Sequence, residues 1–300
     1  MPTVYLGTSD FAATVLERLA GTPHRPALVV TRPDSPQGRG RKLAPPPVAG
    51  RARELGLELL QPAALHDPDV LDRIAAAAPD ALCVCAYGAI IKDPLLSGYE
   101  IFNVHPSLLP RWRGAAPVER AIMAGDAETG VSIMRITAGL DAGPVCLQER
   151  TPIGHEDDYG SLAARLERIG GDLLVRALDE RPSFSEQDET GVTYAEKIAA
   201  ADRDLDPTAP PGHLERVVRA LRPHIGARVR LPDDSLLGVW AARSLPGTSS
   251  SGVPGTPRGE DGRVLLDCGG GVLELLEVQP AGGRRMAAGE WLRGRPGAAA

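Results

Sequence analysis

The stretch IFNVHPSLLP, residues 101–110, sets an asparagine and a histidine two positions apart in an apolar run that proline cuts short. In a strand, residues i and i+2 point to one face, so Asn103 and His105 project together while Val104 goes to the other side. Pro106 cannot continue a hydrogen-bonded ladder, which puts the pair at the strand's carboxyl end. Farther along, GLDAGPV carries Asp141 in a glycine-rich turn after the strand-like VSIMRI. An asparagine, a histidine and an aspartate converging there suit acyl transfer to an amine. Histidine would take the amine's proton, the asparagine amide would donate to the developing oxyanion, and the aspartate would orient the imidazole or relay the proton. An α-amino group titrates near ~7.7–8.0, so at neutral pH much of it is protonated and a base is needed. A plainer reading also fits an isolated N-x-H, in which both side chains merely satisfy backbone groups at a strand end.

Such residues need a scaffold that gathers strand ends. TVYLGT (residues 3–8) reads as a buried strand and SDFAATVLERLAG (9–21) as a helix capped by Ser9 or Asp10 and ended at Gly21. PALVVTRP, DALCVCAYGAI and EIFNVHPS are further strands, with helical segments near 48–56 and 67–77. Strands alternating with helices imply a parallel sheet covered on both faces, with ligands bound beyond the carboxyl ends of the strands. A helix carrying Leu162, Leu166, Ile169 and Leu173 follows, and then a polar connector over 181–212. After one more helix around HLERVVRAL, the runs ARVRL, LLGVWAARSL, GRVLLDC and GVLELLEVQP alternate with Gly, Pro and Ser. That pattern predicts a small β domain, a partly open barrel, with 246–262 as a hairpin loop. The expected plan is a catalytic α/β domain over 1–190, a connector over 191–207 and a β domain over 208–300.

A chain of 300 residues has room for two ordinary domains. The net charge of −6 is uneven: from Asp206 onward 12 Arg face 10 acidic residues, giving +2 and leaving −8 for residues 1–205. A polyanion would meet the second part more favourably, although Arg-for-Lys coding bias accounts for much of the pattern, since Lys42, Lys92 and Lys197 are the only lysines. Cys83, Cys85, Cys146 and Cys268 lack paired spacing and read as buried thiols in a reducing compartment. No run approaches the ~20 apolar residues of a membrane span, and the amino terminus is too short an apolar run for a signal peptide. A soluble cytoplasmic protein is expected, without a metal or a membrane partner.

The motifs also carry a resemblance. Residues 102–145, FNVHPSLLPRWRGAAPVERAIMAGDAETGVSIMRITAGLDAGPV, resemble the core of the formyltransferases that use 10-formyltetrahydrofolate, and most of all the methionyl-tRNA formyltransferase family. GTSDFA, PDSPQGRGRKLAPPPV, CAYGAII, TYAEKI and LLEVQPAGGRRM match in the same order, so the likeness runs nearly end to end. The resemblance implies a Rossmann-like formyltransferase domain joined to an OB-like C-terminal domain. It implies formylation of the methionine on initiator methionyl-tRNA, by a monomer that uses a folate cosubstrate. The family's catalytic asparagine, histidine and aspartate fall on Asn103, His105 and Asp141. Its folate contacts fall on Ser107, Leu108, Leu109 and Pro110, with the pterin-side backbone at Ala86, Tyr87 and Gly88. Its tRNA-acceptor loop matches GRGRKL, with Arg39 central and Arg41 and Lys42 beside it. Two departures stand out. Where the family often has a tryptophan after the I-D that follows TYAEKI, this chain reads Leu205-Asp206-Pro207, and where R-A-F-N-P-W-P is common it reads RALRPHIG. Packing between the domains is expected to differ accordingly.

Other readings remain open on the residues. Tyr87 also suits core packing, and the loop over 38–43 also suits a solvated basic turn. GTSDFA has only part of a dinucleotide fingerprint, and Ser107 beside His105 lacks a G-x-S-x-G elbow. His66, His155, His213 and His224 show no metal spacing. Formyl transfer to a small amine such as a ribonucleotide or amino sugar, or hydrolysis of formyl-folate, would use the same three residues. A non-catalytic RNA-binding protein would not need them.

Overall fold

Runs of apolar residues short enough to be strands and flanked by helices set the architecture of the first part of the chain. In the structure, a computed structural model that describes residues 1–37, 42–250 and 252–294, seven of these runs form one sheet. They are β1 (Thr3–Gly7), β2 (Pro26–Val30), β3 (Leu59–Leu60), β4 (Ala81–Cys85), β5 (Ile101–His105), β6 (Glu128–Arg135) and β7 (Val145–Pro152). Their spatial order is β7-β6-β5-β4-β1-β2-β3. β1 to β5 run parallel to one another. Every residue of β1, β4 and β5 is buried, as strands covered on both faces require. Helix α1 (Asp10–Ala20) starts where the Ser9 side chain accepts from the Ala12 N–H, and ends at Gly21. Helices α2 (Pro47–Glu54) and α3 (Pro68–Ala76) each begin with proline at the first turn, where its missing N–H is no loss.

The parallel reading needs one addition. β6 runs antiparallel to β5, and β7 antiparallel to β6, so the sheet is mixed at this edge. Strand direction is set by the path of the connection, which local composition does not record. A long helix, Tyr159–Glu180, approaches β5 closely at Gly170, where a Cβ would lie 2.8 Å from Val104 Cγ1. That helix covers the Val104 side of β5, the side away from Asn103 and His105.

Contacts divide the chain into two units: Met1–Gly114, Glu128–Pro152 and Ala163–Tyr194 in the first, and Ala115–Ala127, Ile153–Leu162 and Ala195–Ala300 in the second. Within the second, an antiparallel sheet runs in the order Ala227–Arg230, Leu236–Leu245, Gly271–Pro280, Arg263–Cys268, Pro257–Glu260, with Met286–Ala287 also paired to Gly271–Pro280. Helix Pro211–Leu221 lays Leu214, Val218 and Leu221 against Val229, Val239 and Leu273. Pro257–Glu260, expected within a loop, is a strand that pairs with Arg263–Cys268. Helix Pro117–Ala124, not foreseen, packs in the same unit as Pro211–Leu221. Among the described residues no helix is long and apolar enough to cross a membrane.

Candidate active site

β5 ends at His105 and delivers Asn103 and His105 to one face, 9% and 4% exposed. Asn103 stands opposite Met134 of β6, and His105 opposite Ser132. The Asn103 carboxamide makes no hydrogen bond to any described residue, so its donors are uncommitted. His105 Nε2 lies 2.9 Å from the carbonyl oxygen of Trp112. A carbonyl can only accept, so Nε2 carries the hydrogen and Nδ1 keeps its lone pair. Nδ1 faces Asp141 Oδ2 at 3.7 Å, beyond hydrogen-bond length. The imidazole is therefore oriented by the Trp112 carbonyl rather than by a hydrogen bond to the carboxylate.

Asp141 arrives by an unexpected route. The reading from sequence set it beyond a strand end that opens on the same crevice as His105. Because β6 is antiparallel, its last residue Arg135 lies opposite Phe102, and the loop that follows must double back along β5 to reach His105. Asp141 is held at φ 45°, a left-handed conformation uncommon for a residue with a Cβ. Its Oδ2 accepts from the Gly114 N–H at 2.9 Å.

The turn after His105 is fixed from β6 and β7. Ser132 Oγ donates to the Ser107 carbonyl at 2.6 Å and accepts from the Leu109 N–H at 3.1 Å. Gln148 Nε2 donates to the Leu109 carbonyl and to Ser132 Oγ, both at 2.8 Å. Ser107 is fully buried and its hydroxyl donates to the Arg111 carbonyl at 2.6 Å, so it is committed to the turn rather than to His105. Leu108 and Pro110 are half-buried and Leu109 buried.

Just beyond the neighbouring strand β4, Ala86 (φ 43°) and Gly88 (φ 75°) are exposed left-handed turn residues. Tyr87 between them is 3% exposed, packs into the core, and has its carbonyl held by Thr8 Oγ1 at 2.8 Å. Burial pushes its phenol above the ordinary range, and the nearby Arg32 guanidinium opposes this. Thr8 also lines a cavity of about 850 Å³ with Ser9, Arg32, Asp34 and Pro46, beyond the ends of β1 and β2. Burial pushes the thiols of Cys83 and Cys85 up to about 12, so neither is a thiolate at neutral pH.

Of the residues that the resemblance assigns to tRNA, Arg39 and Arg41 lie outside the described residues. Lys42 is exposed on a hairpin between Ser35–Gln37 and Lys42–Ala44, and no hydrogen bond or ion pair joins it to Asn103, His105 or Asp141. Sequence reasoning missed Trp112, Ser132, Gln148, Gln187 and Thr193. Trp112 acts through a backbone carbonyl, which carries no sequence signal. Gln187 and Thr193 sit in the polar connector, where polarity reads as solvation.

Comparison with known proteins then identifies the chain's relatives. It matches the family described as formyl transferase over residues 1–178, and formyl transferase, C-terminal domain, over 197–296. It is 43% identical over 303 aligned positions to a methionyl-tRNA formyltransferase of Methylobacillus flagellatus, covering 99% of this chain and 97% of that one. Among solved structures, it is similar to the methionyl-tRNA formyltransferase from Clostridium thermocellum, with TM-score 0.60, 13% identity, and coverage of 83% of this chain and 95% of that one. It is also similar to HypX from Aquifex aeolicus in complex with tetrahydrofolic acid, with TM-score 0.66 and 16% identity over 97% of this chain; it spans 46% of HypX. Identities this low speak to the fold alone. The match at 43% identity over nearly its whole length does more, and the chain belongs to the methionyl-tRNA formyltransferase family.

Proposed function

We propose that this chain transfers a formyl group from 10-formyltetrahydrofolate to the α-amino group of methionine on initiator methionyl-tRNA. The observation that carries the reading is the 43% identity to a methionyl-tRNA formyltransferase, spread over both units rather than confined to the first. The basic residues Arg39, Arg41 and Lys42 suit an acceptor that carries phosphates, as a small uncharged amine does not. On this reading, residues 1–190 carry the transfer and 208–300 help hold the tRNA, joined by the connector at 191–207. Charged tRNA as the substrate sets the reaction in the cytoplasm.

The donor side suits a flat heterocycle with polar edges. The turn at Ala86, Tyr87 and Gly88, exposed and left-handed at Ala86 and Gly88, offers main-chain groups rather than side chains, and the Ser107, Leu108, Leu109 and Pro110 turn adds partly buried apolar surface. Both turns are tied to the sheet, by Thr8 and by Ser132 with Gln148. Bound there, the folate supplies the formyl carbon. The chain's own residues do the rest. Asn103 donates from its uncommitted amide to the oxygen that gains negative charge at the reacting carbonyl. His105 accepts the amine's proton at Nδ1, the nitrogen left basic by the Nε2 hydrogen bond to Trp112. The protonated ring then faces Asp141 Oδ2 across 3.7 Å.

The acceptor decides between this reading and a small-amine transferase. Offered 10-formyltetrahydrofolate with methionyl-tRNA, free methionine or an amino sugar, the full chain is expected to formylate the tRNA alone. Equal turnover with a small amine would overturn the proposal.

A further inference from the structure

His105 and Asp141 reach each other from elements that no ladder couples. Arg135 lies opposite Phe102 while His105 lies opposite Ser132, so the loop carrying Asp141 starts at the far end of β5. At ~3.3 Å per residue, the three-residue offset makes Asp141 return about 10 Å to stand beside the imidazole. Something must hold it there.

Gln187 does so. Its Nε2 donates to the carbonyl oxygens of Asp141 at 2.8 Å and Gly143 at 2.7 Å, and its Oε1 accepts from Arg113 Nε at 3.0 Å. Arg113 is itself buried and its other arm meets Glu189 at 2.9 Å. One amide thus ties the loop of Asp141 to the segment that orients His105. Thr193 holds that segment from the other side. Its Oγ1 accepts the Trp112 N–H at 2.9 Å and its carbonyl accepts the Arg113 N–H at 2.9 Å. The second bond is made by the same peptide group whose oxygen receives His105 Nε2–H. Trp112 sits at φ 65°, a conformation that a bulky side chain disfavours and that the surrounding bonds must impose.

We propose that Gln187 and Thr193 are positioning residues for formyl transfer, which set the spacing and orientation of the His105–Asp141 pair without meeting substrate. The proposal rests on the reading that His105 and Asp141 act in the reaction. In the full chain, Gln187→Ala is expected to lower kcat about 10–100-fold, with KM for methionyl-tRNA and for the formyl donor within about twofold. Placed on an Asp141→Ala background, the same change is expected to lower kcat no further, since Gln187 acts through Asp141. Gln187→Glu keeps the acceptor for Arg113 but loses both donors; it is expected to lose kcat to a similar degree and is the variant to read should the alanine variant not fold. Thr193→Val, of equal size but without the acceptor for Trp112, is expected to lower kcat in the otherwise unchanged chain and not in His105→Ala. A kcat within twofold of the parent for folded Gln187 variants, or an equal loss in both backgrounds, overturns the proposal. A normal kcat in Asp141→Ala alone overturns instead the role assigned to Asp141.

Discussion

On the proposed reading, Asn103 and His105 divide the work at the reacting centre by what each side chain has left to offer. The Nε2 hydrogen of His105 is committed to the Trp112 carbonyl, which leaves one basic nitrogen; the Asn103 amide has no partner among the described residues, which leaves its donors for a substrate oxygen. Asn103→Ala is therefore expected to lower kcat about 10²–10³-fold with binding of the formyl donor retained. Steady-state kinetics alongside donor binding checks this, and a change confined to tRNA affinity would remove Asn103 from the chemistry. The cysteines behave differently. Burial raises the Cys83 and Cys85 thiols from the ordinary value of 9.0 to about 12, so the unfolded chain releases these protons near pH 9 while the folded chain keeps them. Their contribution to stability is fully present below pH 9 and is lost as pH rises toward 12, by roughly 1.4 kcal/mol per pH unit for each thiol. Urea midpoints taken between pH 8 and 11 should fall above pH 9, and Cys85→Ala should flatten the fall. A level profile would contradict the burial argument.

The loop after β6 is where element geometry and chemistry meet most closely. A Cβ on Gly143 would lie 1.9 Å from the Arg135 carbonyl oxygen, so the loop can close only with glycine at that position. Gly143→Ala is expected to cost about 1–3 kcal/mol in stability and, by moving Asp141, to lower kcat as much as ~10²-fold. Thermal melts and turnover on one preparation measure both, and an unchanged kcat would mean that Asp141 tolerates displacement. How much of this was readable without coordinates follows from what local sequence encodes. TVYLG, ALCVC and IFNVH announce buried strands, Ser9 and Gly21 bracket a helix, and N-x-H before proline places two side chains on one face at a strand end. The direction of β6 was not readable, because it depends on the connection rather than on the residues of the strand. Pro257–Glu260 reads PRGE, with none of the β-branched or aromatic residues that mark a strand, so its pairing left no hydrophobic pattern to find. Gln187 and Thr193 stayed hidden because their partners are main-chain groups and an arginine far away in sequence.

For the molecule as a whole, the division of the chain is less linear than its motif order implies. Helix Pro117–Ala124 precedes β6 in sequence yet belongs to the second unit, where Val118, Ala121 and Ile122 are buried and the Met123 carbonyl accepts from Arg216 Nε at 3.2 Å. A chain ended at Leu205 would keep that helix and lose Pro211–Leu221, the helix it packs on. Such a fragment is expected to associate and to melt below the full chain, as light scattering and calorimetry would show; a monomeric fragment with the parent's melting temperature would contradict this. The proposed formyl transfer to methionyl-tRNA turns on His105 as the base. The direct measurement is single-turnover transfer of labelled formyl from 10-formyltetrahydrofolate to methionyl-tRNA, with the parent chain and His105→Ala each saturated with both substrates. The variant is expected to bind the formyl donor as the parent does and to transfer the label about 10²–10⁴-fold more slowly. Transfer by folded His105→Ala within twofold of the parent rate would contradict the account.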